Sequence, residues 1–253
     1  MQVLFIGDVV GRSGRNALAG VLPGLKSQYS WDLCIANAEN AAGGKGITEK
    51  VARELLDLGI DVLTMGNHTW DNKDIFNFID SADYLVRPAN YPAPVPGQGW
   101  TVVRRADKSV GIINLSGQVF MGPMECPFAA VDRILDELNH CQYIIIDFHA
   151  EATAEKLAFA HYVDGRVSAV VGTHTHIQTA DAGVLPQGTL YITDVGATAP
   201  INSVLGMEIE PVIKRFTTKL PQRFSAASGP AAVCALWMDL EARLVKPLTV
   251  TSP

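Results

Sequence analysis

The chain has 253 residues, 48% of them hydrophobic, and a formal net charge of −6. That size suits one large α/β domain spanning residues 1–253, with enough apolar side chains for a sizeable core. The acidic balance argues against an extended nucleic-acid surface, which needs a basic face, but leaves a single nucleotide open as substrate.

Cys34, Cys126, Cys141 and Cys234 show no Cys-x-x-Cys spacing. They read as reduced, mostly buried residues of a cytoplasmic protein. The first residues lack a basic region, and Asp8 cuts short the apolar run 3–6, so no secretory signal is expected. No run approaches the roughly 18 uninterrupted apolar residues of a membrane span.

Residues 3–6 read as a buried strand ending at Gly7-Asp8. A glycine-rich turn, Gly11 to Gly14, leads into a helix over 15–22 that Pro23-Gly24 interrupts. That turn lacks the lysine of a P-loop. Its glycines are expected to let the backbone pass close to Asp8, and Arg12 reads as an exposed helix-start residue. A second strand, 33–36, ends at Asn37-Ala38-Glu39-Asn40. After the loop 41–46, with three glycines, Thr48 caps a helix whose face carries Val51, Leu55 and Leu58.

A third strand, 61–65, closes at Gly66-Asn67-His68. A helix from Asn72 carries Ile75, Phe76 and Ile79 as its apolar stripe. Residues 87–100 are a Pro- and Gly-rich loop, and 101–105 with 110–115 form a hairpin. The irregular stretch 117–127 carries Phe120, Met121 and Met124, which are costly to expose and read as a pocket wall or an oligomer contact. Phe128, Val131, Leu135 and Leu138 share a helix face. Strand 143–147 reaches Phe148-His149, and a helix follows over 151–162.

Strand 167–171 leads into Gly172-Thr173-His174-Thr175-His176, and strand 190–193 into Asp194-Val195-Gly196. The pattern over 200–230 is weak, with a short helix around 212–216, and 233–239 with 244–250 form a closing hairpin. Strands alternating with helices, together with the hairpins, predict an α/β fold with mixed sheets.

Five of these strands end in residues suited to metal coordination: Asp8; Glu39-Asn40; Asn67-His68; His149; and His174 with His176. In open α/β sheets, ligands bind beyond the carboxyl ends of the strands. In extended backbone, residues i and i+2 point to the same side, so both imidazoles of the His-x-His can face one centre. Turn chemistry explains one such ending, but not five that use four of the six histidines. His140 and His161 stand apart, as helix-end and surface residues. Asp194 reads as a turn residue or as a support behind the site.

The ligand set contains no cysteine, which disfavours structural zinc. Carboxylate, amide oxygen and imidazole suit Fe, Mn, Co or Zn better than Ca or Mg. Seven ligands exceed the needs of one ion. Two ions sharing a carboxylate use them all, as in phosphoester chemistry.

The series Gly7-Asp8, Glu39-Asn40, Gly66-Asn67-His68, His149 and Gly172-Thr173-His174-Thr175-His176 resembles the calcineurin-like metallophosphoesterases. Two departures narrow the resemblance. Val10 stands where that superfamily usually has the histidine of Asp-x-His, and Ala38-Glu39-Asn40 stands where it has Gly-Asp. With Gly7-Asp8-Val9-Val10-Gly11 and Tyr191-Ile192-Thr193-Asp194-Val195-Gly196, these look like the YmdB-type branch over nearly the whole chain. That branch is associated with 2′,3′-cyclic nucleotide phosphodiesterase activity.

The resemblance implies a metallophosphoesterase-like αββα sandwich, two mixed β-sheets flanked by helices. It implies a first metal on Asp8, Glu39, Asn40 and His176, and a second on Glu39, Asn67, His149 and His174, with Glu39 bridging. Asn40 would compensate for the histidine missing at position 10, and His68 would face the substrate phosphate as a catalytic residue. The cofactor expected is two divalent or trivalent ions per chain, iron first, with Mn, Zn or Co as alternatives.

The function expected is hydrolysis of a small cyclic nucleotide by in-line attack of a metal-bridging hydroxide. His68 would steady the phosphoryl charge or donate to the leaving oxygen. The partners expected are a small-molecule phosphodiester and copies of the same chain, as a dimer or tetramer, with no membrane. Two alternatives share the centre: a broader phosphomonoesterase or phosphodiesterase, and a regulator that binds a nucleotide or RNA end without turnover. His68 favours turnover, because a pure binder needs no proton donor there.

Overall fold

The computed structural model describes residues 1–105 and 107–252. In β1 (Gln2–Ile6) the side chains alternate between two apolar environments: Val3 and Phe5 enter one, Leu4 and Ile6 the other. The same alternation runs through β3 (Leu33–Asn37), with Leu33 and Ile35 on one side and Cys34 and Ala36 on the other. Both faces of these strands are buried, which is why they are continuous apolar runs in the sequence.

The first sheet is joined by β2 (Asp8–Val9), β4 (Val62–Thr64), β5 (Leu85–Val86), β12 (Ala197–Pro200), β13 (Ala231–Asp239) and β14 (Leu244–Thr251). Its order is β2-β12-β13-β1-β3-β4-β5, with β14 also paired to β13. β1, β3, β4 and β5 run parallel, and β13 is antiparallel to β1.

The second sheet contains β6 (Trp100–Arg105), β7 (Lys108–Ser116), β8 (Tyr143–His149), β9 (Ala169–Thr173), β10 (Gly183–Val184) and β11 (Leu190–Ile192). Its order is β10-β11-β9-β8-β7-β6, parallel in the middle and antiparallel at both edges.

Val3, Phe5, Leu33 and Ile35 of the first sheet meet Val110, Ile112, Ile145 and Val171 of the second. Helices cover the outer faces. α1 (Gly11–Gln28) and α2 (Glu49–Asp57) lay Leu18, Leu22 and Leu55 on Leu4 and Ile6. α3 (Pro127–Glu137) and α4 (Thr153–Tyr162) lay Val131 and Phe159 on Ile146 and Phe148. The expected arrangement of two mixed sheets flanked by helices is present. A fifth helix, α5 (Ile209–Thr218), buries only Val212 and leaves Ile213 and Phe216 exposed.

Several local expectations are corrected. α1 begins at Gly11 and continues through Pro23 to Gln28. Val21, Leu22 and Leu25 form one buried face across the proline, and that packing outweighs the hydrogen bond the proline removes. Of the glycines of its first turn, Gly11 meets Ala226, whereas Gly14 lets the Thr198 carbonyl pass close, in the strand paired with Asp8 and Val9.

The helix expected from Asn72 is instead two 3₁₀ turns, Lys73–Asn77 and Ile79–Ser81. Ile75 and Ile79 are buried, but Phe76 is 54% exposed, its ring stacked on Trp70 at 5.4 Å. Of the four free cysteines only Cys34 is buried.

Phe159 is fully buried and stacks on Phe148 at 4.1 Å. Phe159→Ala is therefore expected to cost about 3–5 kcal/mol of unfolding free energy. Phe76→Ala should cost under about 1 kcal/mol in the same urea titration. Equal losses would contradict the packing described.

Candidate metal centre

The five strand ends meet on one side of the molecule, where both sheets present the carboxyl ends of their parallel strands. Asp8 lies in β2, Glu39 and Asn40 follow β3, and Asn67 and His68 follow β4. His149 ends β8, and His174 and His176 follow β9. Gly66 allows the approach: a Cβ there would collide with His149 Nε2 and Glu39 Oε2. At Gly172 the Thr193 carbonyl passes where a Cβ would stand, which brings β11 against the start of the His-x-His turn.

His149 Nε2 is the focus of one half of the cluster. It lies 2.9 Å from Asn67 Oδ1, 3.0 Å from His174 Nδ1 and 3.2 Å from Glu39 Oε1. The other ring nitrogens fix the tautomers. The Thr173 hydroxyl donates to Asp147 Oδ1 at 2.6 Å, so it accepts from His149 Nδ1 at 2.9 Å. His174 Nε2 donates to Glu151 Oε2 at 3.0 Å. Two imidazole lone pairs are thereby aimed at each other across 3.0 Å, which requires a cation or a proton between them.

Asp8, Asn40 and His176 make the other half. His176 Nδ1 donates to the Leu205 carbonyl at 3.0 Å, leaving Nε2 free for the cluster. That Nε2 stands 3.7 Å from Asp8 Oδ1 and 3.3 Å from the Asn40 amide. The Asn40 amide also reaches Glu39 Oε1 at 3.2 Å, so Glu39 touches both halves. Asp8 Oδ1 is buried with no hydrogen-bond partner among the described residues. A buried, orphaned carboxylate oxygen is costly unless a cation meets it.

These distances suit an ion. Bonds of about 2.1 Å to a common metal place neighbouring ligand atoms about 3 Å apart. Glu39, His149 and His174 each bring a ligand atom within 4.8 Å of the others. The residues present therefore fit a metal.

Electrostatics point the same way. Burial raises the carboxyl of Asp8 to about 6, against the opposing pull of His176 and His149. Burial alone would also raise Glu39 and lower His149. Their mutual attraction outweighs it, aided for His149 by Asp8 and Asp147, taking Glu39 down to about 2 and His149 up to about 9. His174, pushed down to about 3 by burial and by His149, is neutral near pH 7.

Support comes from Asp194, for which the sequence offered this reading beside that of a turn residue, and from Asp147 and Lys156, which the sequence reading missed. His174 and His176 both have left-handed backbones, φ 94° and 65°, which non-glycine residues hold only when the surroundings dictate it. Asp194 dictates it by accepting from Thr175 N at 3.0 Å, Thr175 Oγ1 at 2.7 Å and Gly196 N at 2.8 Å. It is in turn paired with the buried Lys156 at 2.8 Å. Asp194 is thus the support behind the site and not merely a turn residue. Asp147, a lone charge within the apolar run 143–148, carried a signal of burial. Lys156, on a helix of mixed polarity, carried none.

A cleft of about 370 Å³ opens onto Glu39, Asn40, His174 and His176, with His68, Lys45 and Glu151 on its polar side. His68 N donates to Glu39 Oε2, and its Nδ1 meets Asp71 Oδ2, both at 2.8 Å. Phe120, Met121 and Met124 do not line this cleft, and Phe120 is 89% exposed. Arg12, His140 and His161 lie exposed outside it.

The chain is similar to known proteins over its whole length. The chain is 51% identical over 251 residues to a Bacillus subtilis protein named 2′,3′-cyclic-nucleotide 2′-phosphodiesterase, covering 99% of this chain and 95% of that one. A crystal structure of a hypothetical protein from Thermus thermophilus superposes with a TM-score of 0.95 at 44% identity, each chain covered in full at 100%. A crystal structure of a novel phosphatase from Mycoplasma pneumoniae superposes at 0.91 with 35% identity, over 99% of this chain and 92% of that one. No helix among the described residues is long and apolar enough to cross a membrane. The fold is of the metallophosphoesterase type. Residues 4–251 match the family model described as YmdB-like protein, and the chain belongs to that family.

Proposed function

We propose that this protein is a metal-dependent phosphodiesterase that opens 2′,3′-cyclic nucleotides. The observation that carries the reading is the convergence of Asn67, His174 and Glu39 on His149 Nε2, beside the orphaned Asp8 Oδ1. The activity named for the Bacillus subtilis relative supports the substrate class.

Asp8, Glu39, Asn40 and His176 would hold one ion, and Glu39, Asn67, His149 and His174 a second. Bound there, two ions would acidify water near neutral pH and polarise the phosphoryl group. The chain supplies the rest. Thr173 and Leu205 fix the tautomers of His149 and His176, so each turns a lone pair inward. Glu151 does the same for His174.

His68 is held at both ends by Glu39 and Asp71, which leaves Nε2 for the substrate. In its protonated form that nitrogen can donate to the departing 2′ or 3′ oxygen. Lys45 adds a positive charge to the lining of the same cleft. The Asn40 amide, donated inward here, would need to present its oxygen to an ion, a half-turn of the same group.

Two outcomes test this reading. His68→Ala should keep its metal content, by elemental analysis, while turnover of 2′,3′-cyclic AMP falls about 10²- to 10⁴-fold. Loss of metal in that variant would remove His68 from the catalytic role.

The second outcome concerns protons. His149, at about 9 in the metal-free protein, is charged near neutrality, whereas a ligand must be neutral. Metal uptake at about pH 7.5 should therefore release close to one proton per chain more than at about pH 10. Calorimetry in buffers of different ionisation enthalpy reads this directly. Equal release at both pH values would contradict the loss of a proton from His149 on metal uptake.

A further inference from the structure

The cleft is lined by two unlike sets of residues. Beside the histidines and Lys45, the same cleft is lined by an apolar wall of Leu205, Met207 and Phe224. Leu205 is 47% exposed and Phe224 43% exposed. Phe224 is the one carbocyclic aromatic among the lining residues. Large apolar side chains left open to water beside a charged centre are a cost that a ligand would remove.

The wall is built rather than loose. Met207 forms β-bridges to Val204 and Ala226. Glu208 N donates to the Ser225 carbonyl at 3.0 Å, and Ala227 N to the Gly206 carbonyl at 2.8 Å. Met207 also packs against Gly44, in the loop that carries Lys45, where an added Cβ would stand 3.1 Å from Met207 Cε. Leu205 adopts a left-handed φ of 51°, with its carbonyl accepting from His176 Nδ1 at 3.0 Å. The apolar wall and one arm of the candidate centre are therefore a single piece of structure, at fixed separation.

Resting on the phosphodiesterase reading above, we propose that this wall is a nucleobase subsite. The base lies flat against Phe224, flanked by Leu205 and Met207, while the cyclic phosphate meets the metal centre and His68. An aromatic ring in this position accepts any base, because every base offers a π-face. The three wall side chains provide no strong donor or acceptor to read a base edge. The subsite thus distinguishes nucleosides from base-free phosphodiesters without choosing strongly among bases.

The test compares 2′,3′-cyclic AMP with the 2′,3′-cyclic phosphate of methyl riboside, which has no base, in Phe224→Ala and Phe224→Tyr. The alanine variant should lose at least about fivefold more kcat/KM on the nucleotide than on the base-free substrate, through KM, while the tyrosine variant retains discrimination. Equal losses on the two substrates overturn the subsite. Equilibrium dialysis of adenosine 3′-monophosphate and of inorganic phosphate against the metal-loaded protein requires no turnover. There too the alanine variant should weaken the nucleotide selectively, and equal weakening overturns the proposal. If the unmodified protein opens neither cyclic phosphate, the phosphodiesterase reading fails and the dialysis comparison still decides the subsite. A changed sedimentation mass in Phe224→Ala with nucleotide binding intact would make the wall a contact between copies and overturn the proposal.

Discussion

Four carboxylates, Asp8, Glu39, Asp147 and Asp194, lie at 1% exposure or less near the strand ends, against a single equally buried lysine. Buried charge of one sign is tolerated only when it is paired, hydrogen-bonded or met by a cation. Asp147 is met by hydrogen bonds from Thr173, Thr64 and Asn37. Asp194 is met by Lys156, Thr175 and Gly196. Glu39 is met by His68 N, the Asn40 amide and His149, whereas Asp8 faces His176 with one oxygen lacking any hydrogen-bond partner among the described residues. The one unpartnered carboxylate oxygen thus lies at the place where the candidate ligand atoms converge. Asp147 and Asp194 form the scaffold behind it.

That scaffold explains how backbone strain can persist in the His-x-His turn. Left-handed conformations at both His174 and His176 would relax in a loop free to move. Here Asp194 holds the intervening Thr175 by its amide and its hydroxyl, and Lys156 anchors Asp194 from α4. Replacing one member of such a pair leaves the other buried and uncompensated. The ion pair therefore acts on the site through geometry, although neither residue reaches the cleft.

The apolar runs of β1, β3, β8 and β9 were legible because a strand buried on both faces has no polar register to confuse. The candidate ligands were legible for a related reason: polar residues following such runs have no packing role to play. The 3₁₀ turns after Asn72 were not, since Ile75 and Ile79 pack at helical spacing whether or not an α-helix forms. Pro23 misled because packing of Val21, Leu22 and Leu25 exceeded its local cost. Lys156 and Glu151 were silent, as a charge on or near a helix ordinarily means solvent. The wall at 205–224 lies in the stretch of weakest periodicity, where register comes from isolated bridges rather than regular strands.

The departures that set this chain apart from the wider superfamily meet in one corner of the site. Val10, where a histidine is usual, is buried, and its side chain stands where a Cβ on Gly206 would fall. The Val10 side chain thus packs against Gly206, beneath the apolar wall, and not among the candidate ligand atoms. Asn40 occupies the space between Glu39 and His176. In the proposed centre an amide would stand where an imidazole is usual, and the apolar contact at position 10 joins that centre to the segment bearing Leu205. On that proposal, ligand change and wall are parts of one adjustment: the position that offers no ligand supports the surface on which the substrate would rest.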